Sequence, residues 1–240
     1  MDSFKYIKIF RHELKYFINY HEYHTLRNKL RIIMKQDKHS DEDGNYHIRS
    51  LYFDDYNDTA LYEKQSGILQ RKKYRIRFYN LLDDFIKLEK KSRIGQFVRK
   101  DSLLLNRSQV DKIMNFNYKF LLRLDNKLAT EFYFDLTNKL FRPKVIVDYI
   151  REAFVLDFNN IRVTFDKHLK TGLSSKDLFN SNLMLVNAID ETQTIIEIKF
   201  SNMLPDYLKS TLQVQSSQRN AISKYVYSRK FNKFKSWEDH

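Results

Sequence analysis

The chain has 240 residues, with 43 Lys and Arg against 30 Asp and Glu, which gives a formal net charge of +13. Its 19 Phe and 16 Tyr distinguish it from a disordered chain, and the absence of Cys excludes disulfide scaffolds, thiolate zinc sites and cysteine nucleophiles. It has 4 Gly and neither a GxxxxGK nor a GxGxxG motif, so side chains rather than a glycine-rich loop must bind any phosphate.

The hydrophobic periodicity predicts many short strands interrupted by a few helices. Alternation of apolar and polar residues predicts strands over 7–17, 46–53, 72–79, 85–91, 96–103, 145–151, 161–168 and 194–200. Helical spacing predicts helices over 20–35, 107–116, 118–128, 204–212 and 218–231, and a short helix or turn over 58–65. The expected class is α+β with a mostly antiparallel sheet or barrel. No Pro- or Gly-rich linker divides the chain, so we expect one large domain or two small ones in close contact.

The sequence also bears on location. No apolar run approaches the roughly 20 residues that span a bilayer. Residues 1–10 lack the continuous apolar segment of a signal peptide. We therefore expect a cytoplasmic protein with no membrane span, whose positive charge favours an anionic partner.

Charged residues repeat at every second position of the predicted strands, and such residues share one face of a strand. These positions are Arg11, Glu13 and Lys15; Lys73, Arg75 and Arg77; Lys87, Glu89 and Lys91; Arg162 and Asp166, with Thr164 between them on the same face; and Glu197 and Lys199. Tyr149 and Arg151 also share a face. An ordinary half-solvated antiparallel sheet shows the same alternation. The predominance of Lys and Arg favours a second interpretation, a β-barrel with a charged lumen and helices packed outside.

Eight short stretches carry a more specific signal. They are Arg11–Tyr16, Ser50–Asp54, Tyr74–Tyr79, Leu88–Lys91, Tyr149–Phe154, Arg162–Asp166, Ile196–Phe200 and Ser223–Tyr225. In these stretches the chain resembles the polyphosphate polymerase (VTC) domain family known from vacuolar transporter chaperone complexes. That family lies within the triphosphate tunnel metalloenzymes, the CYTH-like superfamily. The resemblance covers about residues 5–231 and implies a single tunnel domain over 1–240.

The resemblance implies a basic tunnel that binds a triphosphate beside Mn²⁺ or Mg²⁺. Carried onto this sequence, the phosphate-binding and catalytic residues are Lys15, Arg75, Arg77, Lys91, Arg151, Arg162, Lys199 and Lys224. Glu197 is the expected metal carboxylate, with Glu13 and Glu89 as further candidates beside the metal. Ser50, Tyr52 and Asp54 share a strand face, but the sequence does not assign that face to the lumen.

The activity implied by the resemblance is transfer of the γ-phosphate of ATP to a growing polyphosphate chain. Arg11 stands where the wider superfamily often has the first Glu of a Glu-x-Glu-x-Lys motif, which favours the polymerase branch. One alternative is a tunnel triphosphatase acting on inorganic or nucleoside triphosphate. A second is a non-catalytic module that binds polyphosphate or RNA, although nucleic acid is not the expected partner.

Overall fold

A computed structural model describes residues 11–95, 97–213 and 222–234 of the chain. Its strands are β1 (Arg11–Ile18), β2 (Lys35–Gln36), β3 (Asn45–Asp54), β4 (Gln70–Tyr79), β5 (Leu82–Ile94), β6 (Phe97–Leu105), β7 (Arg142–Leu156), β8 (Ile161–Thr171), β9 (Val186–Asn187) and β10 (Thr194–Ser201). Its α-helices are α1 (Tyr20–Ile33), α2 (Thr59–Gln65), α3 (Arg107–Met114), α4 (Lys127–Asn138), α5 (Asp206–Thr211) and α6 (Lys224–Phe234). Two 3₁₀ helices lie at Lys119–Arg123 and Phe158–Asn160.

The strands form one ten-stranded sheet. The main path of hydrogen-bonded neighbours runs β1-β10-β8-β7-β3-β4-β5-β6, while β2 pairs with β7 and β9 pairs with β8. Each pair whose register is described is antiparallel. Over the described residues this path begins at β1 and ends at β6, and no pairing joins those two strands. The predicted α+β class with a mostly antiparallel sheet is confirmed.

The chain divides into two compact units, each with its own apolar core. Unit 1 contains the described residues up to 46, together with 150–168 and 190–222. Unit 2 contains 47–149, 169–189 and the described residues from 223 onward. Strands β3, β7 and β8 each contribute residues to both units.

The alternation along β4 explains how one face of unit 2 becomes basic. Tyr74, Ile76 and Phe78 are fully buried in the apolar core of that unit. Since neighbouring residues of a strand point to opposite faces, this burial leaves Lys73, Arg75 and Arg77 on the other face. The same rule holds in unit 1, where Ile196 and Ile198 of β10 enter the core.

The helix predicted over 118–128 is wrong. Residues 119–123 form a 3₁₀ helix, and the α-helix that follows begins at Lys127. Asp125 has a left-handed backbone with φ of 44°. The side chain of Asn126 then accepts hydrogen bonds from the N–H groups of Leu128 (2.9 Å) and Ala129 (3.3 Å). This N-cap satisfies two of the free donors at a helix start, so the helix extends from there to Asn138.

Other predicted boundaries shift by a few residues. Strand β5 begins at Leu82 rather than residue 85, because Asn80 and Leu81 form a two-residue turn with φ of 53° and 56°. The predicted strand residues 7–10 and 96 and the predicted helix residues 218–221 lie outside the described residues. No described helix is long and apolar enough to span a membrane.

Candidate functional site

The basic face of unit 2 holds a hydrogen-bonded set of side chains from four strands, which we call the arginine cluster. Its members are Ser50, Tyr52, Arg75, Arg77, Glu89 and Tyr149. Strand register brings them together, because Ser50 pairs with Arg77, Tyr52 with Arg75, and Arg75 with Glu89. Cross-strand pairs on one face place their side chains in contact.

Arg75 connects a carboxylate to a phenol. Its Nε donates to Oε2 of Glu89 at 2.6 Å, and its Nη1 donates to the hydroxyl of Tyr52 at 2.9 Å. Lys100 of β6 forms a second ion pair with Glu89. Both oxygens of this carboxylate therefore already contact cations.

Arg77 has different partners. It is 5% exposed, its Nε donates to the hydroxyl of Ser50 at 2.9 Å, and its Nη2 donates to the hydroxyl of Tyr149 at 3.0 Å. Both partners are neutral, and Arg77 forms no ion pair with any residue of the described ranges. A buried cation that has no carboxylate in direct contact pays a desolvation penalty that an incoming anion would offset, although Glu89 acts on Arg77 at longer range.

The pKa values follow from this excess of positive charge. Burial opposes ionisation of Glu89, but Arg75, Arg77 and Lys100 outweigh burial and lower the pKa of Glu89 to about 2. Burial likewise opposes ionisation of Tyr52, yet Arg75, Arg77 and Lys224 lower its pKa below the ordinary phenol value. Two acidic groups are thus stabilised in their charged forms, as expected where cations outnumber anions.

Three further lysines belong to the same unit. The Nζ of Lys224, at the start of α6, lies 5.0 Å from the ring centroid of Tyr149, and the Nζ of Lys73 lies 4.7 Å from that of Tyr225. Lys91 is exposed on β5 and is the register partner of Lys73. The arginine cluster therefore has additional cations on its own strands and on α6.

Unit 1 holds a second set of charged side chains, which we call the glutamate cluster. Its members are Glu13, Lys15, Arg151, Asp166, Glu197 and Lys199. The register of β1 and β10 pairs Lys15 with Glu197 and Glu13 with Lys199. Strand β8 lies on the other side of β10.

Glu197 is the centre of this cluster and is 5% exposed. Its oxygens lie 2.9 Å from Lys199 Nζ, 3.6 Å from Lys15 Nζ and 3.6 Å from Arg151 Nη2. Arg151 also donates two hydrogen bonds to Asp166, at 2.5 and 2.8 Å. Three cations and three carboxylates balance here, in contrast to the arginine cluster.

The carboxylates of Glu13 and Glu197 both lie close to the ammonium of Lys15. Lys15 Nζ lies 2.7 Å from Glu13 and 3.6 Å from Glu197. Burial lowers the pKa of Lys15, but these two carboxylates more than compensate, and the pKa is raised above its ordinary value. A position that two carboxylates make favourable for an ammonium is also favourable for a divalent cation.

The donor set therefore fits a hard cation with few protein ligands. Mg²⁺ and Mn²⁺ at phosphate sites commonly take one or two carboxylates and complete their shell with water and phosphate oxygens. No group of three or more metal-ligating side chains occurs in the part of the chain that the structure describes. A tight, all-protein cage such as a structural zinc site does not fit this set.

Arg162 lies in unit 1 beside the glutamate cluster in the sheet, as the register partner of Lys199. Its Nη2 donates to Asp37 and to the hydroxyl of Tyr46, each at 2.7 Å. Its side chain is 39% exposed. Arg162 is therefore oriented by a carboxylate and a phenol while part of its guanidinium faces solvent.

Strand parity assigned most of the basic residues to charged faces, but it left Arg151 on a mixed face and did not identify Lys224, which lies on α6. It also did not identify the neutral partners of the arginines. Tyr52 and Ser50 lie on the face that the sequence left unassigned, and they contact Arg75 and Arg77. Tyr149 and Lys100 were also missed. Tyr149 shares the strand parity of Arg151, a signal that could have identified it.

Comparison with known proteins adds independent information. A candidate adenylyl cyclase from Hippeastrum, described as having a dominant triphosphatase activity, superimposes with a TM-score of 0.55 at 15% identity, over 91% of this chain and 95% of that chain. The PH1819 protein of Pyrococcus horikoshii gives 0.50 at 14% identity, over 92% and 99%. A candidate adenylate cyclase from Bacillus halodurans gives 0.50 at 13% identity, over 87% and 92%. At these identities the similarity shows a shared fold.

A search of curated protein sequences finds no match to this chain. The model of the VTC domain, in contrast, matches residues 10–232, nearly the whole length of the sequence. The resemblance read from the eight motifs is thereby confirmed. The chain belongs to the VTC domain family.

Proposed function

We propose that this protein is a metal-dependent phosphotransferase that moves the γ-phosphate of ATP to the end of a polyphosphate chain. The observation that carries the proposal is the buried Arg77, whose guanidinium has only neutral hydroxyl partners among the described residues. Together with Arg75 it forms a preorganised, positively charged surface. Such a surface supports binding of a multiply charged anion.

Arginine suits this role for geometric reasons. Its planar guanidinium donates parallel hydrogen bonds to two oxygens of one phosphate and stays charged at every physiological pH. The hydroxyls of Ser50 and Tyr149 hold Arg77 in one orientation before the anion arrives. Preorientation reduces the entropy lost on binding.

We assign the divalent metal to Glu197 and Glu13 of the glutamate cluster. When bound, Mn²⁺ or Mg²⁺ would neutralise charge on the phosphate oxygens. Lys15, whose ammonium both carboxylates contact, is the candidate in this cluster to bind a phosphate oxygen. Glu89 is less suited to a metal, because Arg75 and Lys100 already contact both of its oxygens.

A phosphate acceptor requires less of the protein than water does. A terminal phosphate oxygen of the growing chain is already anionic and attacks the γ-phosphorus without a general base. A bond forms to that phosphorus, its bond to the bridging oxygen breaks, and ADP leaves with the electron pair. Attack by water would be assisted by a general base, and within the arginine cluster Glu89, with a pKa of about 2, is a poor one.

Hydrolysis of triphosphates is the second candidate function. Its support is the structural likeness to the Hippeastrum protein that is described as having a dominant triphosphatase activity. The same phosphate-binding residues would serve both reactions, which differ only in whether a phosphate chain or water attacks.

The test is one incubation of the purified protein with ATP and Mn²⁺, in which polyphosphate, ADP and free phosphate are all measured. Polyphosphate together with ADP supports the polymerase, and free phosphate without chains supports the triphosphatase. Glu197→Gln and Arg77→Met are run in parallel, with Lys119→Met as an exposed control on a 3₁₀ helix. If wild type makes neither product while binding RNA tightly, the enzymatic proposal fails.

A further inference from the structure

Lys73 continues the row of cations along β4. It lies two residues before Arg75 and four before Arg77, on the same strand face. At about 3.3 Å per residue, the backbone positions of Lys73 and Arg77 are roughly 13 Å apart. The register partner of Lys73 on β5 is Lys91, another cation. The basic surface of unit 2 is therefore longer than the arginine cluster alone.

Lys73 has no described carboxylate in direct contact. Its Nζ lies over the ring of Tyr225 at 4.7 Å, and it forms no ion pair within the described parts of the chain. Asp54, the carboxylate that attracts Lys73, already accepts hydrogen bonds from the hydroxyl of Tyr225 (2.6 Å) and from the backbone N–H groups of residues 55, 60 and 61. The ammonium of Lys73 is thus partly buried on an aromatic ring.

The charges that face Lys73 are mostly of its own sign. They come from Lys64 on α2, Arg71 on β4 and Lys91 on β5, against Asp54 on β3. The ring of Tyr225 on α6 also packs against the ammonium of Lys73. Like charges in a partly desolvated position disfavour the ionised ammonium unless an anion binds beside it.

We propose that Lys73 extends the arginine cluster and binds an additional phosphate of a linear polyphosphate chain lying along β4. The proposal rests on the proposed function and specifies its ligand as an extended chain rather than a compact phosphate. A row of cations spaced by two residues along a strand matches a linear polyanion with charge on every unit. Lys73 is distant enough from Arg77 to reach phosphates that the arginine cluster does not hold.

This geometry predicts a coupled proton uptake. Burial, together with the repulsion of Lys64, Arg71 and Lys91, lowers the pKa of Lys73 to about 7 despite the attraction of Asp54. A bound phosphate supplies an opposite charge and raises that pKa again. Above pH 7, where the free side chain is mainly neutral, binding of the chain should therefore take up a proton at Lys73.

The experiment is isothermal titration of the full chain with tripolyphosphate and with long-chain polyphosphate at pH 8, in two buffers of different ionisation enthalpy. The variants are Lys73→Met, which removes the charge, and Lys73→Arg, which keeps it at all pH values. Lys119→Met is the matched control, because Lys119 is exposed in the same unit and forms no described ion pair. Removing an unpaired, partly buried cation should not impair folding, which thermal unfolding verifies.

We expect Lys73→Met to weaken long-chain polyphosphate roughly tenfold, the loss of one charge-assisted contact. Tripolyphosphate affinity should change little, and the buffer-dependent proton uptake should disappear. Lys73→Arg should restore affinity without proton uptake. If Lys73→Met binds the long chain with wild-type affinity and wild-type proton uptake, this inference is overturned while the proposed function stands. If wild type binds neither polyanion, both are overturned.

Discussion

Replacing Arg77 with Met separates a binding role from a structural role. Arg77 is almost fully buried, yet its described partners are the neutral hydroxyls of Ser50 and Tyr149. Arg49, on the neighbouring strand β3, is the natural comparison. It is 2% exposed, but its Nε donates to Asp148 at 2.7 Å, so it has a countercharge. Both substitutions remove a buried guanidinium, but only the one at Arg49 also removes an ion pair with a carboxylate.

The two substitutions should differ in how much stability they cost. Arg77→Met loses two hydrogen bonds to neutral groups, at about 1 kcal/mol each, and removes the desolvation penalty of an unpaired buried cation. We expect its free energy of unfolding to stay within about 1 kcal/mol of wild type. Arg49→Met leaves Asp148 with His47 as its other ionic partner, and we expect a loss of about 3 kcal/mol.

For the affinity for tripolyphosphate we expect the opposite ranking, with the larger loss in Arg77→Met. A guanidinium that donates two charge-assisted hydrogen bonds to a phosphate contributes about 3 kcal/mol, so Arg77→Met should weaken tripolyphosphate by roughly 100-fold. Arg49→Met, whose side chain lies on the opposite face of its strand pair, should leave affinity close to wild type. Calorimetric titration at a temperature where all variants are folded measures the affinities, and urea unfolding measures the stabilities.

One result would refute the electrostatic reasoning. If Arg77→Met is destabilised by several kcal/mol and still binds tripolyphosphate as tightly as wild type, then Arg77 supports the sheet and does not bind the anion. Weak binding by Arg49→Met at wild-type stability would also contradict the assignment of faces.

Three further predictions concern the glutamates and one helix cap. Glu89→Gln should reduce stability by about 3 kcal/mol near neutral pH, since it leaves Arg75 without its carboxylate. Because folding depresses the pKa of Glu89 from 4.5 to about 2, this stabilisation is complete above pH 4.5 and is lost as the pH falls towards 2. Thermal unfolding of both proteins across this range checks the prediction, and a difference that persists at pH 2 contradicts it. Glu197→Gln should weaken Mn²⁺ binding roughly tenfold or more, measured by electron paramagnetic resonance, and unchanged affinity would exclude Glu197 as a ligand. Asn126→Ala should lower stability by about 1 kcal/mol in urea unfolding, because it removes the cap of α4, and no loss would mean that the cap is dispensable.

Strand parity made much of the candidate site predictable from the sequence. The period of two along β4 and β10 assigned Arg75, Arg77, Glu197 and Lys199 to charged faces, and the structure buries the alternate residues of both strands in apolar cores. This worked because a strand has only two faces and a buried face excludes unpaired charge. The resemblance to the VTC domain family was likewise inferred from short motifs in the sequence, and the family model matches residues 10–232.

The sequence pattern did not predict contacts between residues that are far apart in the chain. Which hydroxyls orient Arg77 depends on the register of β3 against β4, and a shift of one residue would have turned Ser50 and Tyr52 to the other face. The ion pair of Arg162 with Asp37 joins residues 125 positions apart. The start of α4 at Lys127 depends on the left-handed backbone of Asp125, which hydrophobic spacing does not reveal.

The sequence by itself therefore determined the fold class, the family and the faces that carry charge. These follow from local periodicity and from the order of motifs, both of which are properties of a linear chain. Only the tertiary structure decided which charges are balanced. Glu197 is surrounded by three cations, whereas Arg77 has neutral partners, although both lie on charged faces with the same alternation. The energy of a charge depends on its neighbours in space and on its burial, and those are set by packing and strand register.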